Sequence, residues 1–359
     1  MKKITGFLIL LIVAALLSCP NPNPASSPAK SSANPPVVST LAGIALRTGA
    51  TNGPGASALF NFPNDVAVDA AGNVYVADYD NHRIRKITPG GVVSTFAGTG
   101  QMGATNGPGA SAQFRKPRGV AVDLSGNVYV GDQDNHLIRK IAPNGVVSTF
   151  AGTGQMGATN GPGASAQFND PRGVATDSSG NVYVADTFNH RIRKITPEGV
   201  VSTFAGDGTQ GAANGDGASA QFKNPNNVAT DSSGNVYVAD SGNHLIRKIT
   251  PEGVVSILAG DSTADYRDGE GRSAQFSFPY DVATDSSGNV YVADSNNHLI
   301  RKITAEGVVS TFAGTAGTMG GDDGAGDVAQ FRYPTGVAVD SSGNVYVADY
   351  SNHLIRKIE

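Results

Sequence analysis

The sequence is poor in several residue types: it contains one cysteine and no tryptophan, and only 16% of its 359 residues are charged. A single cysteine excludes an intrachain disulfide, so packing and hydrogen bonds must hold the fold together. Glycine, by contrast, occurs 46 times. Many short strands joined by glycine-rich turns would give this composition.

Long apolar runs are also scarce, and the longest comprises the 11 residues 7–17. This run is too short to span a bilayer and suits the apolar segment of an export signal. It follows Lys2 and Lys3 and is followed by Ser18 and Cys19. The pattern resembles a bacterial lipoprotein signal, so we expect cleavage after residue 18 and lipidation of Cys19. An ordinary signal peptide with an incidental cysteine is the alternative.

Residues 19–36 are rich in Pro, Asn, Ser and Ala and have almost no large apolar side chain. Because such a segment cannot bury a core, we interpret it as a tether. It would hold a folded domain, residues 37–359, at the bacterial cell envelope, in the periplasm or on the surface. Without residues 1–18 the chain has 24 basic and 30 acidic side chains, a formal charge of −6. This balance argues against nucleic acid as a partner.

Six similar units follow one another, each containing the dipeptide Asn-His, at steps of 54 residues and finally 55. Repeated units of this length usually stack into one body. Each unit has four runs of β-branched and aromatic residues bounded by Gly, Pro, Asn, Asp and Ser, which is typical of short strands. In the second unit these runs are residues 120–123, 127–132, 137–141 and 146–150.

The count of strands predicts how the array ends. A Val-Val-Ser run occurs six times, but its first copy, residues 37–41, precedes the first unit, and the last unit lacks one. We therefore predict an all-β fold, a six-bladed β-propeller of four-stranded blades, in which residues 37–41 complete the last blade. Closure would remove the exposed edges that an open solenoid, the alternative, would leave.

The consensus Ala-x-Phe-x-x-Pro-x-x-Val-Ala-x-Asp-x-x-Gly-Asn-Val-Tyr-Val-Ala-Asp-x-x-Asn-His-x-Ile-Arg-Lys-Ile runs through residues 274–303 in the fifth unit. It closely resembles the NHL repeat, and the resemblance covers residues 37–359. It implies a β-propeller and, commonly, recognition of partners through one face. It implies no single chemistry, because propellers serve both binding and catalysis.

Residues present in every unit are interpreted as scaffold. The six histidines (His82, His136, His190, His244, His298 and His353) lie away from the predicted axis and cannot converge on one metal ion. Each unit also has one Asp at the end of its second strand and one Arg in its third, which we expect to form buried ion pairs. The acidic, glycine-rich residues 261–270 and 320–324 could bind calcium, although they lack regular ligand spacing. We expect no cofactor.

A site is expected where the units differ, and the differences fall on one predicted face. They follow the proline before the innermost strand and precede each Asn-His. Drift on exposed loops is the alternative. We expect Arg118 and Arg172 to face acids across the channel mouth. These acids are Asp65 of the first unit and Asp281 of the fifth. The candidate ligand-binding residues are Asn64, Asp65, Arg118, Arg172, Asn226, Asn227, Tyr280, Asp281, Tyr79, Phe188 and Tyr350.

These patterns favour a monomeric, non-enzymatic propeller, attached to the membrane only through its lipid. It would bind a protein, peptide or glycan through the variable face. The alternative is a metal-dependent enzyme similar to the lyases or lactonases of related propellers, with its site at the channel mouth. Such enzymes use unique side chains on inner strands, and here those strands offer no unique Glu or His. A structural spacer without a ligand is a third hypothesis.

Overall fold

Each repeat folds into one antiparallel sheet, and the innermost strands of six sheets contact one another in a closed cycle, which makes a six-bladed β-propeller. The computed structural model describes residues 35–359. The predicted signal, residues 1–18, and Cys19 lie outside the described residues, as does all of the predicted tether except Pro35 and Pro36. We number the blades one to six in chain order of their innermost strands.

Each sheet has five strands, and the prediction of four was wrong by one. The additional strand is only two residues long and lies at the outer edge, where it pairs with the fourth strand. These outermost strands are Gly53–Pro54, Gly107–Pro108, Gly161–Pro162, Gly215–Asp216, Gly269–Glu270 and Gly324–Ala325. Gly and Pro have low strand propensity, so the sequence pattern gives no sign of them.

The other strands occur in the order predicted. The innermost strands are Pro63–Val68, Pro117–Val122, Pro171–Thr176, Asn227–Thr230, Pro279–Thr284 and Pro334–Val339. The second strands are Val74–Asp78, Val128–Asp132, Val182–Asp186, Val236–Asp240, Val290–Asp294 and Val345–Asp349. The third strands are Arg83–Ile87, Leu137–Ile141, Arg191–Ile195, Leu245–Ile249, Leu299–Ile303 and Leu354–Ile358. The fourth strands are Val92–Ala97, Val146–Ala151, Val200–Ala205, Val254–Ala259, Val308–Ala313 and Val37–Ala42.

Val37–Ala42 is the fourth strand of blade six. It lies between Leu354–Ile358 and Gly324–Ala325 and pairs antiparallel with both, with Val38 opposite Ile358 and Val37 opposite Ala325. The sixth sheet therefore contains chain segments from before the first repeat and from within the last.

Short 3-10 helices join the second and third strands. They are Tyr79–Asn81, Gln133–Asn135, Thr187–Asn189, Ser241–Asn243, Ser295–Asn297 and Tyr350–Asn352. Two more, Gly55–Ser57 and Gly271–Ser273, lie in connections between blades. No helix within residues 35–359 is long and apolar enough to cross a membrane.

The core lies between neighbouring blades. In each blade the second strand is buried along its whole length, as its continuous apolar run predicts for a strand covered on both faces. At one junction, Tyr75 and Ala77 of blade one pack with Phe114, Val120 and Val128 of blade two. Because each blade buries its faces only against its neighbours, the ring is needed to complete the core.

The repeated Asp and Arg form a fully buried ion pair in every blade, as predicted. Arg85 illustrates the set: it donates to Asp78 at 2.7 Å and to Asn52 Oδ1 at 2.7 Å, and to the carbonyl oxygens of Leu59 and Thr51, both at 2.9 Å. The arginine thus joins the second and third strands to the long connection outside them. The remaining pairs are Asp132–Arg139, Asp186–Arg193, Asp240–Arg247, Asp294–Arg301 and Asp349–Arg356, at 2.7–2.9 Å.

The six histidines have a structural role at the blade junctions. Each has left-handed backbone geometry after its 3-10 helix, and its Nδ1 accepts a hydrogen bond from a backbone N–H of the next blade. His82 accepts from Lys116, for example, at 3.2 Å. The other donors are Asp170, Asn224, Phe278, Tyr333 and Phe62, at 3.1–3.3 Å. The histidines therefore hold six separate junctions.

Candidate functional site

Six equivalent positions at the start of the innermost strands form a ring around the axis of the propeller. They are Asp65, Gly119, Gly173, Asn227, Asp281 and Gly336. A Cβ atom at Gly173 would lie 1.9 Å from Asn227 Oδ1, and one at Gly119 would lie 2.3 Å from the carbonyl oxygen of Arg172. Contacts this short are not tolerated, so glycine is required at these positions, where the backbone or a side chain of the neighbouring blade approaches closely.

Asp65 and Asp281, from blades one and five, are buried within this ring. Asp65 accepts hydrogen bonds from the backbone N–H groups of Val66 at 2.8 Å and of Val120, in the next blade, at 2.9 Å. Asn227 donates to the same carboxylate at 3.3 Å. Asp281 accepts from its own neighbour Val282 and from the next blade in the same way. These carboxylates therefore stitch adjacent blades at the axis.

The two carboxyl groups also interact with each other. Burial raises the pKa of Asp65 to about 6. Burial together with the nearby Asp65 carboxylate raises the pKa of Asp281 well above its ordinary value. Two carboxylates that share a buried site cannot both ionise easily. Ionisation of one of these carboxyl groups therefore opposes ionisation of the other.

A narrow cavity of about 180 Å³ extends along the axis, bordered by this ring and by Val, Ala and Thr side chains of the innermost strands. Within residues 35–359, no group of three or more His, Cys, Asp or Glu side chains is placed to hold a metal ion. The acidic loops bind arginines instead. Asp268 accepts from Arg301 and Asp323 accepts from Arg356, both at 2.6 Å, where Asn52 accepts in blade one.

Arg118 lies at the mouth of the channel and reaches across it. Its guanidinium is 4.9 Å from the centre of the Tyr280 ring in blade five and 6.0 Å from that of Tyr79 in blade one. It donates one hydrogen bond, to Gln133 Oε1 at 3.0 Å, while its buried Nε has no partner. Burial and the nearby Arg172 lower the pKa of Arg118 to about 9.

The expectation that the two arginines face the axial acids was wrong. Arg172 forms an ion pair with Asp170 at 2.8 Å and lies over the Phe188 ring at 5.3 Å. Neither Arg118 nor Arg172 forms an ion pair with the axial carboxylates. The physical reason is that backbone N–H groups of adjacent blades already occupy the oxygens of those carboxylates.

Two other candidates act through their backbone. Asn64 and Asn226 are buried, and their carbonyl oxygens accept hydrogen bonds from Thr335 Oγ1 at 2.7 Å and from the Gly173 N–H at 2.9 Å. The structure thus separates the predicted residues into three groups. The asparagines and the axial acids hold blades together, and Arg172 contacts Phe188 within blade three. The residues that lie together at the mouth are Tyr79, Arg118, Tyr280 and Tyr350.

A further position of interest, which we did not predict from the sequence, lies immediately before each innermost-strand proline. Its occupants are Phe62, Lys116, Asp170, Asn224, Phe278 and Tyr333, and all have positive φ between 49° and 59°. Asn and Asp tolerate this left-handed geometry, but it is unfavourable for bulky aromatic residues. Blades five, six and one nevertheless carry aromatic residues here. Comparing the residue just before each proline across the six repeats would have found these aromatic residues.

We call Phe62, Phe278 and Tyr333 the aromatic arc. Each ring packs edge-on against the histidine that binds its own N–H, with ring centres 4.5–4.7 Å apart. Phe62 also packs against Tyr350 at 4.8 Å. Phe278 and Tyr333 remain 45% and 39% exposed. The histidines thus fix aromatic surfaces that face solvent.

A pocket of about 480 Å³ lies between blades five and six beside this arc. Its aromatic walls come from Phe278, Tyr280, Tyr333 and Tyr350. Thr335, Asn296 and two serines contribute hydroxyl and amide groups. Aromatic walls with a few polar groups, in a pocket of this size, are typical of a small-molecule site.

A family model described as NHL repeat matches one segment in each blade: residues 60–87, 114–141, 168–195, 222–249, 276–303 and 331–358. Among curated relatives, the Arabidopsis thaliana protein SUPPRESSOR OF QUENCHING 1, chloroplastic, is 30% identical over 325 residues, which cover 85% of this chain and 31% of that protein. The chain spans less than half the length of the curated relatives it matches.

Two solved structures share the fold. An auxiliary nutrient binding protein from Bacteroides thetaiotaomicron is 18% identical with a TM-score of 0.69, covering 90% of this chain and 76% of that one. A gluconolactonase from Xanthomonas campestris is 12% identical with a TM-score of 0.58, covering 94% and 98%. At such identities the likeness concerns the fold alone. With one NHL repeat in every blade, the chain belongs to the NHL-repeat proteins.

Proposed function

We propose that this chain is a binding module that recognises a glycan, peptide or protein through the mouth of its propeller. It acts at the bacterial cell envelope, attached through lipid on Cys19. The observation that carries the proposal is the aromatic arc, in which bulky, exposed rings occupy left-handed backbone positions beside a pocket.

The scaffold does not require an aromatic ring at these positions. The histidine bond and the positive φ are the same in all six blades, and Asn224 meets both without an aromatic ring. An aromatic residue there adds about 1 kcal/mol of backbone strain beyond that of asparagine, and strain of this kind persists mainly at functional sites. Because such a ring is exposed, it also lacks the stabilisation that burial of an apolar group would give. The rings at the mouth are therefore explained by a ligand rather than by folding.

The auxiliary nutrient binding protein of the same fold is consistent with this proposal. A lyase- or lactonase-like activity is the second candidate, and the feature that favours it is the pair of buried carboxyl groups, Asp65 and Asp281, whose pKa values are raised by burial. We favour binding because backbone N–H groups occupy both carboxylates, which leaves them poorly placed to exchange protons with a substrate.

The test is to probe immobilised glycans and peptides with the purified chain and with the variant Phe278→Ala/Tyr333→Ala. Leu124→Ala is the matched control, because Leu124 is an apolar residue 88% exposed in a turn on the opposite face. We expect the double variant to lose at least tenfold in affinity and the control to bind normally, with circular dichroism confirming that both fold. Equal binding by the double variant would contradict the proposal.

A further inference from the structure

Arg118 differs from the other buried arginines of the described chain. The six scaffold arginines are fully buried, and each donates to an aspartate. Arg118 is 91% buried, yet it forms no salt bridge within residues 35–359, and its one hydrogen bond goes to the neutral side chain of Gln133. A buried cation without a counter-charge is costly.

Arg118 remains a cation although its surroundings disfavour the charge, and Arg172 adds a second positive charge nearby. The pKa of Arg118, about 9, leaves its guanidinium protonated at neutral pH. Arg172 is close enough to contribute to this lowered pKa, and Asp170 already pairs with Arg172. The two arginines therefore share one acid, and a positive charge remains uncompensated at the mouth.

A carboxylate is the group that best completes this arrangement. The planar guanidinium offers N–H donors in a fork that matches two carboxylate oxygens, and such pairs are stronger than neutral hydrogen bonds. Nε is buried and unpartnered in the six scaffold arginines as well, so the donor that remains for a ligand is Nη2 of Arg118, which makes no hydrogen bond within residues 35–359. Since no acid of the described chain forms a salt bridge with Arg118, the carboxylate would come from the ligand.

Tyr280 connects Arg118 with the aromatic pocket, since its ring lies against the guanidinium and also forms a wall of the pocket. The pocket combines ring faces with the Thr335 hydroxyl and the Asn296 amide. Aromatic faces carry partial negative charge, which complements the C–H groups on the face of a sugar ring. Hydroxyl and amide groups at the edge suit the sugar's own hydroxyls.

We propose that the mouth binds an acidic saccharide, with a sugar ring in the aromatic pocket and its carboxylate at Arg118. This inference rests on the proposed binding function and specifies its ligand class. A neutral sugar would leave the arginine unsatisfied, and a cationic ligand would be repelled by it.

The experiment measures calorimetric binding of uronic-acid disaccharides of gluco, galacto and manno configuration, each beside its methyl ester. We expect at least one acid to bind tenfold or more tighter than its ester. Arg118→Gln should abolish this preference, and Arg118→Lys should retain part of it. Lys223→Gln is the matched control, since it removes an exposed cation beside the left-handed position of blade four and should preserve the preference.

The outcomes separate the two proposals. Equal binding of acids and esters by the unaltered chain would overturn the acidic-saccharide inference without touching the binding function. So would a peptide ligand, found on the array, whose binding depends on Phe278 and Tyr333. Absence of any ligand that depends on those two residues would overturn the proposed function itself. Because the unaltered chain already reports the preference, a variant that fails to fold leaves the test intact.

Discussion

The mouth of the propeller has two halves that share one backbone and differ in chemistry. Blades five, six and one form an aromatic half, with Phe278, Tyr333 and Phe62 before the prolines. Blades two, three and four form a polar half, with Lys116, Asp170 and Asn224 at the same places. Since the histidine bonds and φ values are alike, folding does not dictate the difference. The comparison shows that side-chain identity here is free to serve a ligand.

The contrast continues at the axis. The aromatic half supplies Asp281 and Asp65, with Gly336 between them, whereas the polar half supplies two glycines and Asn227. The polar half also contains Arg118, which extends to the aromatic half at Tyr280. The two halves therefore meet in one contact above a pair of buried acids. Substitutions can show which residues of this arrangement stabilise the fold and which bind a ligand.

The largest effect is the expected difference in stability between variants of the two buried arginines of blade two. Arg139→Gln should lower the free energy of unfolding by about 3–5 kcal/mol, because it leaves Asp132 buried without its partner. Arg118→Gln should change it by less than about 1 kcal/mol or raise it, because no acid loses a partner. Urea unfolding of both variants measures the difference. Similar losses would mean that Arg118 belongs to the scaffold.

The pH dependence of stability should reveal the acids of the aromatic half. Burial raises the pKa of Asp65 from 3.8 to about 6, so protonation of this group favours the folded state, and its contribution is complete below pH 3.8 and is lost as the pH rises through about 6. Asp65→Asn should reduce the loss of stability between pH 4 and pH 8 by up to about 3 kcal/mol. A lost backbone hydrogen bond adds only a constant offset. An unchanged pH slope, equal to that of Leu124→Ala, would contradict the raised pKa of Asp65.

The axis of the polar half should be intolerant of any side chain at Gly173. Gly173→Ala places a Cβ atom against Asn227 and should destabilise the fold by about 1–3 kcal/mol. Adding Asn227→Gly should not restore the lost stability in full, because it removes the Oδ1 atom at 1.9 Å but leaves the Cα atom of residue 227 at 2.4 Å from the added Cβ. Thermal unfolding of Gly173→Ala provides the measurement. A Gly173→Ala variant as stable as the unaltered chain would show that this position tolerates a side chain.

The smallest effect should come from exchanging residues between the halves. Asn224→Phe should lower the free energy of unfolding by about 1 kcal/mol, because an aromatic residue adopts positive φ less readily. Phe278→Asn should raise it or leave it within about 1 kcal/mol, since relief of strain offsets the lost ring contact, while ligand binding falls. A marked loss of stability in Phe278→Asn would assign the aromatic arc to folding.

The repeats made the fold predictable, because six copies of one strand pattern leave few architectures. The chemistry of the mouth was predictable only in part. Tyr79, Arg118 and Tyr280 stood out as differences between copies, but their mutual contact depends on a reach across the axis that spacing does not reveal. Charge alone suggested Asp65 and Asp281 as partners for the arginines. Backbone N–H groups satisfy those acids instead, and they leave no mark in the sequence.

Val37–Ala42 has a consequence for how the chain reaches its folded state. This strand is synthesised before all six repeats, yet its neighbour Leu354–Ile358 is the last strand of the sixth repeat. Contacts so distant in sequence form slowly, because the chain must first close a very long loop. Until then blade six has an open edge able to pair with other chains. Its assembly is therefore the step at which misfolding and domain exchange between copies compete most directly with folding.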